Sequence, residues 1–556
     1  MTTGQVIVAG SGASGLVAAL AAAAGGADVL VLERSELLGG TTALGGGRVW
    51  VPANHCPENA GDSAEAARAY LSGLFPARYA HLTDAFLANA PAMARFVEER
   101  SPHRFAACPA YPDYHPERTG ATAGGRCLDM ELADLSAMAP QARQVRVPPG
   151  YLPMTQAEWE GWRFPCRFDW KLLRQREAAG LRANGVALAA ALADGVLKAG
   201  GRIETGARLI EVTTGPDGTG SSTVNGAVVD RGASAEGGST ERVPAAAVIL
   251  ATGGFDWDED LRRAWHPTAQ RASFPGNTGF PGNTGFPGNT AASPGNTGDA
   301  LRIARALGAS TDNLGEGWWM PMMAVPGEEV DGRPYPRSLI RERAVPRQIM
   351  VNAAGRRFVD EASPYNEVGK AMHRADDGGC QNDPAFLIFD EEFTRRYSLP
   401  GFSSGAVPAW LPRAETPGAL AALIGVDPEG LERTVARWNK ACAEGADQDF
   451  GRGENVYDRY GGDPETWPAP NLGPLTEPPF YAARVLAGTI GTKGGPVTDA
   501  TGTVLTEAGE QVRGLYAVGN AAAFWTGDAY PAPGATLGIG MTMGYIAGRH
   551  AAASLA

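Results

Sequence analysis

The chain has little cysteine and histidine. Its six cysteines lie at positions 56, 108, 127, 166, 380 and 442 and form no CxxC pair. This spacing predicts neither a zinc site nor a disulfide framework, and it fits a reducing compartment. The seven histidines form no HxxxH or HxH cluster, so no metal centre is expected.

Positive charge and long apolar runs are also scarce. The formal net charge of −13 argues against nucleic acid or an anionic membrane surface as the main partner. The start, MTTGQVIVAG, lacks the basic region of a secretory signal, and glycines and an aspartate interrupt the apolar run at residues 15–32. We therefore expect a soluble, cytoplasmic protein without integral membrane association. A length of 556 residues with 44% apolar content predicts two or more globular domains.

Glycine, by contrast, is abundant and patterned near the start. Residues 5–9 predict a buried parallel strand, GSGASG follows at 10–15, a helix runs to about residue 25, and a second strand at 28–32 ends at Glu33. With 74 glycines, a bare GxGxxG is expected about once by chance, so the flanking strand and helix carry the inference. Such a unit binds a dinucleotide, with glycines near the pyrophosphate and the acid on a ribose. The expected contacts are Gly10, Gly12, Ala13, Ser14, Gly15, Glu33 and Arg34.

Three further stretches extend this site. A second glycine-rich loop at 39–47 can follow an extended cofactor into its second half, which suits FAD better than NAD. The apolar strand at 246–255 breaks at two glycines, and a strand at 515–518 breaks at Gly519. The additional expected contacts are Gly39, Gly40, Thr41, Thr42, Gly45, Gly46, Gly47, Ala251, Thr252, Gly253, Gly519, Asn520, Ala535 and Leu537.

The stretch at 514–548 is central to the functional interpretation. After the break at Gly519, a proline-rich turn leads into an apolar helix from about Gly534, and Pro531 and Pro533 restrict the backbone next to Tyr530. We interpret the helix start as facing a flavin ring, with Tyr530 and the Gly534 N–H facing a substrate carbonyl. The alternative is a helix–sheet packing segment with a buried tyrosine.

Four motifs, GSGASG with Glu33, GGTTALGGGRVWVPAN, ATGGF and YPAPGATLG, resemble the fumarate reductase/succinate dehydrogenase flavoprotein superfamily. Within it they look most like 3-ketosteroid Δ1-dehydrogenases. The resemblance implies an α/β fold: a Rossmann-like FAD-binding domain with a parallel sheet and helices, interrupted by an α+β substrate-capping domain. We expect FAD-binding parts at 1–312 and 481–556 and the cap at 313–480. No histidine follows Gly39 and Gly40, so the FAD is expected to be non-covalent.

The same resemblance implies roles for three tyrosines within matching local motifs. Tyr365 in SPY is the base, Tyr114 in PDY supports it, and Tyr530 in YPAPG polarises the carbonyl together with the Gly534 N–H. The implied reaction is an FAD-dependent desaturation α,β to the ketone of a cyclic substrate, with 1(2)-dehydrogenation of a 3-ketosteroid, and thus steroid degradation, favoured. The electron acceptor (a quinone, a dye or O₂) is not identified by the sequence.

Alternatives stay open at this point. They are a smaller ketone of the cyclohexanone or oxocyclohexane-carboxylate type, another steroid ring position, fumarate reductase-like chemistry, and a non-catalytic flavin-binding module. Arg341, Arg343 and Arg347 precede Tyr365 and are interpreted as surface or fold-supporting charges, or as holding a substrate carboxylate. Aromatic stacking on a flat alicyclic ring is a further possibility for Trp318 and Trp525.

Residues 273–298 are of low complexity, with a six-residue period in the early copies of a PGNTG repeat. Each Pro-Gly favours a type II turn, so we expect a turn-rich surface excursion, with a lid or membrane contact by Phe274, Phe280 and Phe286 as the minor alternative. We expect Asp299 to cap the helix that follows.

Overall fold

A computed structural model describes residues 4–59, 61–216, 222–232, 239–266 and 289–555. The early PGNTG copies, with their three phenylalanines, lie outside the described residues. The last copy is described and leads into a helix that begins at Asp299, with Gly298 at its N-cap. Asp299 therefore does not cap this helix as expected. Its carboxylate instead accepts hydrogen bonds from Arg208 at 2.7 and 2.9 Å.

The strands are β1 (Gln5–Ala9), β2 (Asp28–Leu32), β3 (Val49–Trp50), β4 (Phe105–Ala107), β5 (Cys127–Met130), β6 (Ala133–Asp134), β7 (Leu181–Arg182), β8 (Arg202–Glu204), β9 (Ala207–Pro216), β10 (Ser222–Arg231), β11 (Ser239–Pro244), β12 (Ala247–Leu250), β13 (Thr311–Asp312), β14 (Gly317–Met323), β15 (Glu329–Val330), β16 (Arg333–Pro334), β17 (Arg337–Ser338), β18 (Gln348–Val351), β19 (Ala385–Asp390), β20 (Arg413–Ala414), β21 (Phe480–Thr492), β22 (Gly495–Pro496), β23 (Thr503–Leu505) and β24 (Gln511–Ala517).

The helices are α1 (Ala13–Ala24), α2 (Gly40–Leu44), α3 (Ala64–Leu71), α4 (Ala80–Arg100), α5 (Gln156–Trp162), α6 (Trp170–Ala178), α7 (Asn184–Lys198), α8 (Glu259–Trp265), α9 (Asp299–Ala306), α10 (Tyr365–Met372), α11 (Glu391–Arg396), α12 (Pro417–Ile424), α13 (Pro428–Glu444), α14 (Val456–Gly461) and α15 (Ala535–Ala553).

The larger sheet has a parallel core in the order β24-β12-β1-β2-β8. Its central strands are apolar runs buried along nearly their whole length, which is typical of a parallel sheet covered on both faces. Because the strands are parallel, the loops that follow β1, β2, β12 and β24 open at one edge of the sheet. The glycine-rich stretches expected to bind the cofactor are thereby brought together.

Helices α1 and α15 pack against each other over this sheet through small residues. A Cβ on Gly544 would lie 2.3 Å from the Ser14 carbonyl oxygen, and one on Gly548 would lie 2.2 Å from that of Ala18. The four-residue spacing of glycines along α15 therefore lets the two backbones meet at close range. This contact places the start of α15, at Gly534, beside the edge where the cofactor loops open.

The second sheet is antiparallel, in the order β17-β14-β21-β19-β18, with β20 also paired to β21. Its strands β19 and β21 are mostly buried, with two separate apolar cores against the sheet. Strand β21 continues to Thr492, past residue 480, where we expect the capping domain to end. The division of the chain into domains stays a prediction. In the described part of the chain, no helix combines the length and apolarity needed to cross a bilayer.

Candidate active site

One cavity of about 590 Å³ extends from the edge of the parallel sheet to the antiparallel sheet. It is lined by most of the predicted cofactor residues and by all four predicted catalytic residues. These are Gly10, Gly12, Ala13, Ser14, Gly15, Glu33, Arg34, Gly40, Thr41, Thr42, Gly45, Gly46, Gly47, Ala251, Thr252, Gly253, Gly519, Asn520, Leu537, Tyr114, Tyr365, Tyr530 and Gly534.

Two predicted contacts, Gly39 and Ala535, do not line the cavity. The Gly39 N–H donates to the Ser11 hydroxyl at 2.9 Å, and a Cβ there would meet the side chains of Ala43 and Ala189. Ala535 is fully buried in the core at the first turn of α15. Both residues support the loops around the cavity from behind.

The first part of the cavity fits an extended dinucleotide. Helix α1 begins after Gly12, and its first N–H, that of Ala13, donates to Thr42 Oγ1 at 3.0 Å. The next N–H groups of the first turn, at Ser14 and Gly15 in the cavity wall, are left for a phosphate. A Cβ on Gly12 would meet only Thr42 Oγ1, at 3.7 Å, so this position opens onto the cavity. Gly10 has φ +112° and approaches the backbone of Ala251 so closely that a Cβ would lie 2.2 Å from its carbonyl oxygen. Gly12 therefore leaves room for a ligand, whereas Gly10 allows the backbones of two strand ends to approach where a side chain would clash.

Glu33 ends β2 at the position expected for ribose recognition. Its carboxylate accepts hydrogen bonds from the Ser11 N–H and hydroxyl, at 3.1 and 2.6 Å, and from the Ser35 N–H at 2.9 Å. The side chain is only 7% exposed and faces the cavity. It is therefore held rigidly in place before any ligand binds.

Sequence reasoning missed the contribution of the last PGNTG copy to this wall. Ser293 and Asn296 line the cavity, and the Asn296 amide donates to Asp256 at 3.2 Å and to Thr41 at 3.3 Å. Arg34 reaches the same segment, where it donates to Thr297 Oγ1 at 2.6 Å. The last copy differs from the earlier ones in that Asp299 and a helix follow it, but nothing in its sequence indicated a contact with the cofactor loops.

The other end of the cavity holds a cluster of three mutually touching phenols. The ring centroids of Tyr114, Tyr365 and Tyr530 are 5.3–5.4 Å apart in each pair, all in edge-to-face geometry. All three side chains are at most 6% exposed. Three tyrosines from distant parts of the sequence thus meet at one point, as the resemblance implies.

Tyr114 is positioned by the loop between β4 and β5. The preceding Asp113 accepts hydrogen bonds from Trp50 Nε1 at 2.9 Å and from Arg126 at 2.7 Å, all within the core. The Tyr114 N–H donates to the Pro531 carbonyl at 2.9 Å, which ties this loop to the turn that carries Tyr530. The Tyr114 hydroxyl is buried and has no hydrogen-bond partner among the described residues.

Tyr530 and Gly534 are fixed by the turn before α15. Gly534 has φ +83°, and a Cβ there would lie 2.7 Å from the Arg48 carbonyl carbon, so only glycine fits. Its own carbonyl accepts the Trp50 N–H at 3.0 Å. The Thr536 hydroxyl donates to the Tyr530 hydroxyl at 3.1 Å. The Tyr530 phenol and the start of α15 therefore face the same part of the cavity.

Burial shifts the acidity of these phenols in one direction. Desolvation raises the pKa of Tyr114 and Tyr365 well above the ordinary value, and it also raises the pKa of Tyr530. The neighbouring phenol of Tyr530 raises the pKa of Tyr365 further. In the free protein the cluster is therefore neutral near pH 7.

The three arginines that precede Tyr365 have different environments. Arg347 forms a two-point ion pair with Asp390, and Arg343 donates to the backbone carbonyls of Leu339, Glu361 and Ser363. These two support the fold. Arg341 instead lines the cavity, is 6% exposed, and its two terminal nitrogens have no hydrogen-bond partner among the described residues.

The two tryptophans considered for substrate stacking do not line the cavity. Trp318 is fully buried behind Tyr530, with ring centroids 4.6 Å apart. Trp525 packs edge-on against Phe75 at 5.4 Å in the core. The expectation that either one stacks on a ring substrate is therefore wrong, because both are covered by other aromatic side chains.

A glycine-lined groove at the carboxyl edge of a parallel sheet, joined to a buried chemical site, defines a dinucleotide-dependent enzyme class. Residues 5–537 match the sequence family described as FAD binding domain. The 4-oxocyclohexanecarboxylate 2-dehydrogenase of Sinomonas cyclohexanicum is 39% identical over 560 residues, 99% of this chain and 92% of the relative. A 3-oxosteroid 1-dehydrogenase of Mycobacterium tuberculosis is 34% identical over 99% of this chain and 98% of the relative.

Comparison with solved structures also finds a ketosteroid dehydrogenase. The 3-ketosteroid delta1-dehydrogenase of Sterolibacterium denitrificans, in complex with 1,4-androstadiene-3,17-dione, is 34% identical, with 100% of each chain covered and a TM-score of 0.87. The chain therefore belongs to the FAD-binding family that contains these dehydrogenases, its cofactor is FAD, and it is an oxidoreductase. This confirms the predicted fold class and the resemblance to ketosteroid Δ1-dehydrogenases.

Proposed function

We propose that the protein is an FAD-dependent desaturase that introduces a C=C bond α,β to the ketone of a cyclic substrate. The relatives named above are dehydrogenases of an oxocyclohexanecarboxylate and of 3-oxosteroids, and both kinds of substrate carry a ketone on a six-membered ring. The observation that carries the proposal is the cluster of three phenols in the same cavity as the FAD groove.

Two groups from one turn are suited to hold the ketone oxygen. The first N–H groups of α15 have no partner within the helix, and the helix dipole makes its start favourable for negative charge. Tyr530 has a neutral phenol next to this helix start. Donation by Tyr530 and Gly534 to the carbonyl oxygen stabilises the enolate that forms when the α-proton leaves, in a site where burial strengthens each hydrogen bond.

Tyr365 is proposed as the base that removes the α-proton. It is the first residue of α10, and its ring lies edge-on to that of Tyr530, with ring centroids 5.4 Å apart. Because burial raises the pKa of its phenol, Tyr365 must first release its own proton to solvent before it can take the α-proton. The adjacent Tyr114 hydroxyl, which stays protonated, is suited to donate a hydrogen bond to the Tyr365 phenolate. The bound FAD supplies the acceptor for the hydride that leaves the β-carbon.

The substitution Tyr365→Phe tests this assignment. It keeps the ring packing and removes only the hydroxyl, so FAD stays bound. We expect anaerobic mixing of the wild type with a 3-ketosteroid or with 4-oxocyclohexanecarboxylate to bleach the flavin band. The variant should bleach at least about 10²-fold more slowly, as expected for loss of a general base.

Tyr397→Phe is a matched control. Tyr397 is also buried, but its hydroxyl donates to Asp463 at 2.7 Å, away from the cavity. Its bleaching rate should equal that of the wild type. Undiminished bleaching in Tyr365→Phe would exclude its role as base, and absence of bleaching in the wild type with both ketones would refute the proposed reaction.

A further inference from the structure

Arg341 is a buried cation in the cavity wall, and no carboxylate in the described part of the chain pairs with it. It lies in the loop between β17 and β18, and its guanidinium carbon is 3.1 Å from the ring centroid of Trp159. The ring of Tyr460 is 5.5 Å away. Stacking on Trp159 fixes the plane of the guanidinium and directs its hydrogen-bond donors along that plane. The two terminal nitrogens are buried and unpaired among the described residues.

The charged groups around Arg341 do not neutralise it. Glu160 accepts hydrogen bonds from Gln156 at 3.1 Å and from the Tyr460 hydroxyl at 2.5 Å, and it forms no ion pair with Arg341. Glu342, also in the cavity wall, accepts the Ile340 N–H at 2.9 Å. Arg163 adds a second positive charge, and it donates to backbone carbonyls of Tyr460 and Gly462.

Burial affects the charge of Arg341 but does not remove it. Desolvation, together with the positive charge of Arg163, lowers the pKa of Arg341 to about 10. Tyr460, Tyr111 and Glu160 act in the opposite direction and are outweighed. At neutral pH the guanidinium is still protonated. A buried charge that is not paired is strongly unfavourable, and a ligand carboxylate would relieve this cost through two parallel hydrogen bonds.

Tyr111 connects the arginine to the phenol cluster. Its ring stacks on Tyr460 with centroids 4.6 Å apart, and it lines the same cavity three residues before Tyr114. Its phenol is within electrostatic reach of Arg341 on one side and of Tyr114 and Tyr365 on the other. The guanidinium and the phenols therefore lie at two ends of one substrate space.

We propose that Arg341 binds a carboxylate of the ketone substrate, so that the site takes a cyclic oxo acid whose carboxylate lies across the ring from the ketone. This inference rests on the proposed desaturation and adds its substrate class. Arg341 acts as a specificity-determining residue: the carboxylate is held equally in the ground and transition states, so it lowers KM more than it raises kcat.

The test compares three neutral or charged ring ketones: 4-oxocyclohexanecarboxylate, its methyl ester, and cyclohexanone. Wild-type kcat/KM should be highest for the acid. In Arg341→Met, kcat/KM for the acid should fall by about 10- to 100-fold, mostly through KM, as expected for loss of charged hydrogen bonds. The value for the ester should not fall. Arg341→Lys, which keeps the charge but not the planar pair of donors, should be intermediate.

A binding measurement without turnover gives a second readout. Cyclohexanecarboxylate has no ketone, and its titration should perturb the flavin absorbance of the wild-type holoenzyme and not of Arg341→Met. Arg333→Met is the control, because Arg333 also lies over an indole, that of Trp257 at 5.2 Å, but does not line the cavity. It should behave as the wild type in both assays.

The outcomes separate the two claims. Equal use of acid and ester by the wild type, or a preference for a 3-ketosteroid that Arg341→Met leaves unchanged, would overturn the carboxylate assignment and leave the desaturase intact. Failure of the wild type to oxidise any of the ketones would overturn both. Arg341→Met is expected to fold, because replacing an unpaired buried charge by an apolar side chain of similar length is rarely destabilising.

Discussion

The substitution Glu361→Gln perturbs a buried ion network close to Tyr365, the proposed base. Glu361 is fully buried, four residues before Tyr365, and accepts two hydrogen bonds from Arg357, at 2.8 and 2.7 Å. It also accepts from Arg452 at 3.2 Å and from the Met350 N–H at 2.9 Å. A neutral amide would leave the buried Arg452 guanidinium without the carboxylate that pairs with it, and its NH₂ group would face guanidinium donors. Arg357 would keep its ion pair with Asp447 at 2.9 Å.

The expected loss follows from this burial. Removing one partner from a buried, hydrogen-bonded ion pair costs about 3–5 kcal/mol, because the remaining charge cannot regain its hydration. Because the unfolding entropy of a 556-residue chain is about 1.2 kcal/mol/K, a change of this size should lower the Tm of the holoenzyme by roughly 3–4 °C. The control is Glu465→Gln. Glu465 pairs with Arg167, and both side chains are about half exposed, so we expect a loss below about 1 kcal/mol.

The pH dependence of stability provides an independent check of the contribution of Glu361. Burial raises the pKa of Glu361, but Arg357 and Arg452 more than offset this effect, so its pKa lies below the ordinary value. The stability from Glu361 is therefore fully present above the pKa of an unfolded glutamate and is lost as the pH falls through the lower folded value. The difference in Tm between the wild type and Glu361→Gln should be constant from pH 6 to 8 and should become smaller as the pH is lowered further. A gap no larger than that of Glu465→Gln, or one that widens in acid, would refute the reasoning.

Two further predictions concern the cofactor and a buried lysine. Glu33→Gln weakens the acceptor for a ribose, and fluorescence titration of the apoprotein should show FAD affinity reduced about 10-fold; wild-type affinity would contradict the assignment. Burial lowers the pKa of Lys493 to about 7, so as the pH rises from 7 to 10 only the folded state loses this proton. Over this pH range the free energy of unfolding of the wild type should increase by about 3 kcal/mol relative to that of Lys493→Met, as measured by denaturant unfolding. A difference between the two proteins that does not change with pH would contradict the lowered pKa.

Local patterns predicted the parts of the fold that neighbouring residues determine. Strands at residues 5–9 and 28–32 are found with those bounds, because short apolar runs bounded by glycine and polar residues favour buried strands. The helix expected from about Gly534 begins at Ala535. Tyr114, Tyr365 and Tyr530 meet in one cavity, as their local motifs imply.

The environments of individual side chains depend on contacts between residues distant in sequence, so local patterns could not predict them. Arg341 and Arg347 belong to one basic stretch, yet Arg347 is paired by Asp390, 43 positions away, whereas Arg341 packs on Trp159 from a region without a recognised motif. The position of Trp318 was likewise decided by its neighbours, which cover it inside the core. A residue's type suggested a possible role in each case, and only its tertiary partners selected among the possibilities.

The anchors of the phenol cluster explain why its hydroxyls remain available for chemistry. The Pro531 carbonyl accepts both the Tyr114 N–H and the Tyr70 hydroxyl, and Arg343 binds the backbone just before Tyr365. The chain is thus held through its backbone and through residues outside the cluster. A catalytic group positioned in this way does not spend its own hydrogen-bonding capacity on the fold, so it can be rigid and still unpaired. The unpartnered hydroxyl of Tyr114 is the direct consequence, since a hydroxyl that is buried at a substrate cavity gains its partner only when the ligand binds.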